Sequence, residues 1–447
     1  MENHENTNFF QTTTAKMIMV GILTLVLLVP LQYVKSLIEE RSKRQKEVVT
    51  EINQKWGESI YFYGPIIKVP YLKSNIIIKE ENVKSTVSRE EVSEDNFIYF
   101  FPNNLKNAAT ITMKKPLKRN NYESIVFTSE MKFSGNYETN DLKLNTIPAE
   151  NIMWNKASVI IKTNNLKSIK EEVKIKIGNK NYVFEPVYNT NPNDSIEALE
   201  TDIIDFGSIL NDTNISFQFN LTYDGSEQIK MVPIGKTTEV MMNSNWNSPS
   251  FIGNFLPNDN KKITAKGFDA NWKILHINRP FSQHFVGYLP DLRKYSFGVD
   301  FIIPVDEYLQ NDRASKYGFL VIGLTFLIFF LIQSISKKNI HIFQYSMIGL
   351  ALILFYTLLI SITEHSSFTK AYLISASSVI VMIGLYSVSI LKDKKFPLFI
   401  GLSLTALYSF IFVIIQMENY ALLVGSIGLF LILGAVMYFS RKIDWGK

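Results

Sequence analysis

The sequence predicts a mixed fold, six transmembrane helices carrying one large β-rich, sandwich-like extracytoplasmic domain. Two observations predict it. Long uncharged apolar runs lie near the start of the chain and in its last third, and the polar stretch between them alternates with period two. The averages of 47% hydrophobic and 19% charged residues over 447 positions hide that segregation. The absence of cysteine excludes a disulfide framework, a thiolate nucleophile and Cys-ligated zinc or iron–sulfur sites. A net charge of +5, from 46 basic and 41 acidic residues, is too mild for a nucleic-acid binder, and no basic stripe interleaved with aromatics points to one.

The first apolar run, 17–34, is near the lower length limit for crossing a hydrocarbon core about 30 Å thick. No small-residue cleavage pattern follows it. The chain continues Tyr33-Val34-Lys35-Ser36-Leu37, so an uncleaved signal anchor is expected. Five further runs, 317–335, 345–362, 371–391, 397–416 and 421–439, bring the spans to six, and none contains Asp, Glu, Lys, Arg or His. Tyr317, Tyr345, Tyr372 and Tyr420 stand at span ends, where amphipathic rings meet headgroups. Ala371, Ser375, Ala376, Ser377 and Ser378 make a small-residue face, as do Ala421, Gly425 and Gly428, and close helix packing is the expected use of both.

Orientation follows from the short loops. Lys337, Lys338, Lys392, Lys394, Lys395, Arg441, Lys442 and Lys447 fall on one side, against only Lys370, with Glu364 and Glu418, on the other. The positive-inside rule puts the C-terminus in the cytoplasm, and an even number of spans puts the N-terminus there too. Lys35, Arg41, Lys43, Arg44 and Lys46 run against that assignment, but three short C-terminal connections agree and a long domain translocates largely regardless of charge. The expected organisation is a cytoplasmic segment 1–16, an anchor 17–34, a helical stalk 35–57, a periplasmic β-rich domain 58–312 and a five-helix bundle 313–447.

The stalk carries Glu39/Lys43, Glu40/Arg44 and Glu51/Lys55 at i,i+4 in the favourable acid-first order, and Gly57 is placed to end it. Strands are expected at 97–101, 109–113, 124–133, 173–177, 182–184, 215–223, 272–277 and 297–303. Ile215, Phe217, Phe219 and Leu221 alternate with Ser216, Gln218 and Asn220, so one face is wet. Gly178-Asn179 and Asp224-Gly225 predict hairpin turns. Residues 195–204 predict a short helix, and Pro304 with Asp306 and Glu307 predicts a helix start leading into the second span.

Catalytic signatures are scarce. The sequence lacks a G-x-S-x-G elbow, an HExxH helix, a Walker A loop and a Gly-rich dinucleotide fingerprint. His4, His276, His284, His341 and His365 show no metal-ligand spacing, so no catalytic residue, metal or cofactor is expected. Glu364, His365 and Glu418 form a candidate polar site at the membrane interface, because a carboxylate beside an imidazole can serve as acid and base. Loop-end residues meeting headgroups and water are the commoner case. Trp246 and Asn247, in the amide-rich segment 244–250, join Trp272 as a candidate ligand surface, since aromatic faces flanked by amides suit sugar rings. A Trp near Pro and Gly more often fills a core edge. The expected partners are the lipid bilayer and an envelope protein, lipid or glycan.

Several separated blocks resemble the CreD family of inner-membrane proteins. They are Trp56-Gly57, Gly64-Pro65-Ile66-Ile67-Lys68-Val69-Pro70-Tyr71, Gly298-Val299-Asp300-Phe301-Ile302-Ile303-Pro304-Val305-Asp306, Ile322-Gly323-Leu324-Thr325-Phe326, Ile340-His341, Gln344-Tyr345, Glu364-His365, Gly425-Ser426 and Arg441-Lys442-Ile443-Asp444-Trp445. The resemblance implies an inner-membrane protein tied to cell-envelope integrity and to envelope-stress or colicin-tolerance phenotypes, in bacteria with an outer membrane. It implies no catalytic residue. Two readings follow: a noncatalytic envelope protein whose periplasmic domain binds an envelope component, and a membrane enzyme or lipid-handling protein using Glu364, His365 and Glu418. The first is the expected one.

Overall fold

The computed structural model describes residues 13–79, 86–92, 96–119, 121–187, 197–258, 263–301, 307–336, 338–392, 395–417 and 420–441. Contacts divide the chain into a helical unit, Met1–Glu47 with Val305–Lys447, and a β unit, Val48–Pro304. Anchor and stalk are one helix, α1 (Thr13–Trp56), 44 residues long, and the unit boundary falls inside it. Then come α2 (Glu307–Lys316), α3 (Gly318–Ser336), α4 (Ile342–Thr363), α5 (Phe368–Leu391), α6 (Lys395–Gln416) and α7 (Ala421–Ser440). Among the described residues, helix α1 and helices α3 to α7 are six that are long and apolar enough to cross a membrane. The expected start of α2 is met by Glu307 at its positive end, with Arg313 and Lys316 in its last turn; Pro304 and Asp306 lie outside the described residues.

Hydrocarbon offers no hydrogen-bond partners, and several polar side chains of the helical unit bond within it. Tyr345 donates to Gln333 at 2.9 Å and Tyr372 donates to the Tyr408 carbonyl at 2.8 Å. A capping box opens α4, where the His341 amide donates to Gln344 at 2.9 Å and the Phe343 amide donates to His341 Nδ1 at 3.2 Å. Leu27 of α1 lies so close to Gly349 of α4 that a Cβ there would stand 2.1 Å from Leu27 Cδ1, which is why that position is bare. Of the expected small-residue face, Ala371, Ser375 and Ala376 are buried, whereas Ser377 and Ser378 point out and bond back to carbonyls of their own helix. Ion pairs and hydrogen bonds fix the two ends of this unit: Lys16 donates to Asn339 at 2.8 Å at one end, and Arg41 meets Glu364 at 3.4 Å at the other.

The β unit contains β1 (Ile60–Pro70), β2 (Lys73–Lys79), β3 (Thr86–Val92), β4 (Phe97–Phe100), β5 (Asn104–Met113), β6 (Leu117–Arg119), β7 (Tyr122–Ser124), β8 (Val126–Glu138), β9 (Ser158–Thr163) and β10 (Lys174–Ile177). It continues with β11 (Lys180–Val187), β12 (Glu197–Thr201), β13 (Asn214–Ser226), β14 (Gln228–Met231), β15 (Thr237–Ser244), β16 (Pro249–Gly253), β17 (Ile263–Thr264), β18 (Gly267–Leu275), β19 (His284–Val286) and β20 (Phe297–Phe301). Pairs β2-β3 and β6-β7 stand apart as two-stranded sheets.

The remaining strands form one continuous sheet, running β16-β20-β14-β1-β9-β12-β11-β10-β13-β8-β5-β15-β18-β17, with β4 and β19 branching from β1. Its two ends approach each other, because Phe251 of β16 packs edge-on against Phe268 and Trp272 of β18 at ring separations of 6.0 and 5.8 Å. This is a nearly closed barrel-like sheet, and the expected sandwich is corrected. Alternation along a strand fixes which residues point inward but not which strands pair, and sandwich and barrel share that period. The interior is aromatic: Phe133 stacks on Phe62 at 4.4 Å and on Phe219 at 4.5 Å.

Two local expectations are also corrected. Residues 197–201 form strand β12, held between β11 and β9, so tertiary pairing overrides the helical reading of 195–204. Asp224-Gly225 is no turn; it lies inside β13, paired with Thr128 and Phe127 of β8. Gly225 is there for room, since a Cβ would come within 2.8 Å of Ile60 Cδ1 and of the Phe127 ring. Gly178-Asn179 does turn the β10-β11 hairpin, with Gly178 at φ +56°.

Candidate functional site

Strand alternation sends every second residue outward, and in the middle of the sheet most of those outward residues are amides, hydroxyls and charged groups. Pairing then lines them up. Lys176 of β10, Gln218 of β13, Ser134 of β8, Lys106 of β5, Glu239 of β15 and Lys273 of β18 are successive register partners across six adjacent strands. Beside that row runs a second: Asn220, Lys132, Ala108, Met241 and Asn271. At about 4.8 Å per strand the first row is about 24 Å wide and the second about 19 Å.

The two rows floor a trough of about 1020 Å³, and a neighbouring hollow of about 800 Å³ shares Lys106, Ser134, Gln218, Glu239 and Lys273 with it and adds Asn104, Asn136 and Ser216. Five lysines border the trough (106, 132, 174, 176 and 273) against glutamates 171, 172 and 239, a modest positive surplus. Glu239 lies between Lys106 and Lys273, each at 3.3 Å. Hydrogen bonding from Lys273 and Lys106, helped by their charges, lowers the Glu239 pKa below its ordinary value. Asn104 donates to Asn136 at 2.8 Å, which orients both amides.

Trp272 sits on β18 between the trough residues Asn271 and Lys273, but its ring points the other way. It is 2% exposed, packs against Phe251 and Phe297, and donates its indole N–H to the Phe255 carbonyl at 3.1 Å. Trp272 is therefore a core residue by its ring, although it also borders the trough. Trp246 is half-buried and turned into its own loop, donating to the Ser248 carbonyl at 2.9 Å, while Asn247 is exposed and accepts from Ser248 at 3.3 Å. The structure does not bring Trp246, Asn247 and Trp272 onto one face.

In the helical unit Glu364 ends α4 and pairs with Arg41. His365 follows it, exposed, with no hydrogen bond to the Glu364 side chain, and Glu418 lies outside the described residues. His284 is on β19, its ring 6.3 Å from that of Phe100. Among the described residues no three His, Asp or Glu gather closely enough to hold a metal ion.

The trough residues escaped the sequence reading because each strand contributes only two or three of them. The alternation in 215–223 already marks Gln218 and Asn220 as outward; joining them to Lys132, Lys106 and Lys273 needs the strand order.

Comparison with known proteins adds the following. The family described as Inner membrane protein CreD matches residues 12–446. The Inner membrane protein CreD of Escherichia coli (strain K12) is 26% identical over 424 residues, covering 94% of this chain and 91% of that protein. Among solved structures, a proposed protease from Parabacteroides distasonis ATCC 8503 is 7% identical and covers 60% of this chain and 51% of its own, with a TM-score of 0.23. A proposed nutrient-binding protein from Legionella pneumophila is 8% identical and covers 51% of this chain and 77% of its own, with a TM-score of 0.21. Superpositions that poor carry no argument. The agreement along nearly the whole length, through both the helical and the β unit, places the chain in the CreD family of inner membrane proteins.

Proposed function

We propose that the protein contributes to cell-envelope integrity without catalysing a reaction, with both chain ends in the cytoplasm and the β unit in the periplasm, where its polar trough binds an envelope glycan. The observation that carries this reading is the trough: amides, hydroxyls and ammonium groups in register over six strands. Sugar hydroxyls need paired donors and acceptors at short range, which Gln218, Asn220, Ser134 and Asn271 supply. The lysine surplus suits a polymer carrying some negative charge. The other reading, a lipid-handling or catalytic site at Glu364, His365 and Glu418, has less support, because the Glu364 carboxylate is engaged by Arg41.

The test uses the full chain in nanodiscs, pelleted with purified peptidoglycan sacculi and with outer-membrane polysaccharide. Changing Gln218, Asn220 and Lys132 together to Ala removes three hydrogen-bonding groups, and at about 1 kcal/mol each binding should weaken at least tenfold. The same variant should fail to restore envelope resistance to a deletion strain at equal membrane abundance. Full binding and full resistance would refute the trough. Alanine at both Glu364 and His365 should complement; loss of resistance there would favour the interface site instead.

A further inference from the structure

The helical unit contains a second hollow, unrelated to the trough. It is an apolar groove of about 780 Å³ between α3, α6 and α7, walled by Leu327 and Leu331 of α3, Phe399 and Phe410 of α6, and Ile432 and Ala435 of α7. We propose that this groove holds one anionic phospholipid, its acyl chains between the helices and its phosphate at the Lys395 end.

Three observations select that occupant. First, the groove is amphiphilic along its length. Its walls are almost wholly hydrocarbon, and its charge is confined to one end, where Lys395 borders it and Lys338 lies 6.0 Å from the ring of Phe396, itself a wall residue. Aliphatic walls below a cationic mouth match a lipid tail below a phosphate. Lys338 also donates to the Leu391 carbonyl, and an apolar helix from a second copy would match the walls of the groove but not its cationic mouth.

Second, the groove has the right depth. From Phe396 to Phe410 it follows α6 for 14 residues, about 21 Å at 1.5 Å each, enough to pass through one leaflet of about 15 Å, half of a core about 30 Å thick.

Third, the groove is not a loosely seated α7. At Gly428 the α7 backbone already touches α6, since a Cβ there would stand 2.0 Å from the Phe410 ring. The helix is at closest approach at that level and cannot move in to fill the space beside it. No residue of α7 is buried, whereas Val321, Ile322 and Phe329 of α3 and Ile400 and Leu404 of α6 are buried at 0 to 1% exposure. The gap is thus left between α7 and an otherwise well-packed bundle.

The experiment is native mass spectrometry of the full chain, purified in mild detergent and offered equal amounts of phosphatidylglycerol and phosphatidylethanolamine with identical chains. One bound lipid per chain is expected, with phosphatidylglycerol preferred. Ala435→Phe fills the groove and should abolish retention. Lys395→Gln leaves the walls intact and should still carry a lipid, but with the preference for the anionic headgroup reduced about fivefold, the size expected of one lysine at an anionic surface. Absence of lipid on the wild type, equal headgroup binding by wild type and Lys395→Gln, or full retention by Ala435→Phe would each overturn the proposal. So would quantitative disulfide dimerisation of a Leu431→Cys variant in membranes, readable because the chain has no other cysteine.

Discussion

Both units bury aromatic side chains, more of them in the β unit, but they treat polar groups in opposite ways. In the helical unit Tyr345, Tyr372 and Thr363 direct their hydroxyls into protein, to Gln333, to the Tyr408 carbonyl and to the Leu359 carbonyl, and apolar surface faces out. In the β unit Phe133, Phe219 and Trp272 face in, while their neighbours Lys132, Ser134, Gln218, Asn220, Asn271 and Lys273 face out. The difference locates recognition. A surface that must dissolve in lipid cannot also present unpaired donors, so polar ligands belong to the β unit and amphiphilic ones to the helices.

The strongest way to break this contrast is to hollow each core. Trp272→Ala should destabilise the β unit by about 3–5 kcal/mol, the usual cost of deleting a buried large aromatic. Leu352→Ala, at a fully buried site in the helical unit, should cost less, because the separated helices are already out of water and only packing is lost. Protease nicking of the full chain in nanodiscs, read separately for each unit, checks both.

A smaller effect is expected at the end of α1. Asn53 is 6% exposed, donates to Glu227 at 2.8 Å and accepts from Ser124, while Glu227 holds a left-handed backbone at φ +59° between β13 and β14. Asn53→Ala strands both partners and should cost about 1–3 kcal/mol, measured as a lower unfolding midpoint of the β unit. Asn53→Asp would place a second carboxylate beside Glu227 and should be worse at neutral pH than in acid.

Smaller still is the trough carboxylate. Because the folded-state pKa of Glu239 lies below its unfolded value of 4.5, the unfolded chain takes the proton first. Its contribution is therefore fully present above pH 4.5 and is lost as the pH falls through the folded pKa. Glu239→Gln should flatten that part of the acid limb of a Tm–pH curve and change stability at pH 7 by less than about 1 kcal/mol, since the group is partly exposed and screened. The smallest change is Arg41→Gln. With Arg41 45% and Glu364 22% exposed, their pair should contribute at most about 0.5 kcal/mol, and 1 M salt should erase the difference from wild type.

Legibility from sequence also differs between the units. The five C-terminal apolar helices were readable to within a few residues, because hydrocarbon thickness imposes a length and forbids charge. Strands with one wet face, such as β13 and β5, were readable from alternation. Strand β1 was not, since Tyr61 and Tyr63 are buried along with Phe62 and Ile66, with Phe101 packed against Tyr63; a run buried on both faces has no alternation to detect. The trough was hidden for another reason. Its members are local in each strand but meet only through an order of strands that is not the order of the chain. Trp272 misled because an aromatic beside amides looks the same whether its ring turns out or in.

The position of β1 has a consequence for how the protein is made. This first strand of the sheet pairs with β14 along Ile60–Phe62, and β14 in turn pairs with β20, which closes at Phe301. A chain emerging from its N-terminus therefore meets β4 and β9 along most of β1 within about 100 residues, whereas the Ile60–Phe62 edge waits about 170 residues for β14. At a ribosomal pace of about 5–20 residues per second that edge stays open for ten seconds or more. Nascent chains stopped before Gln228 should be the aggregation-prone species of this protein, and complete ones should not.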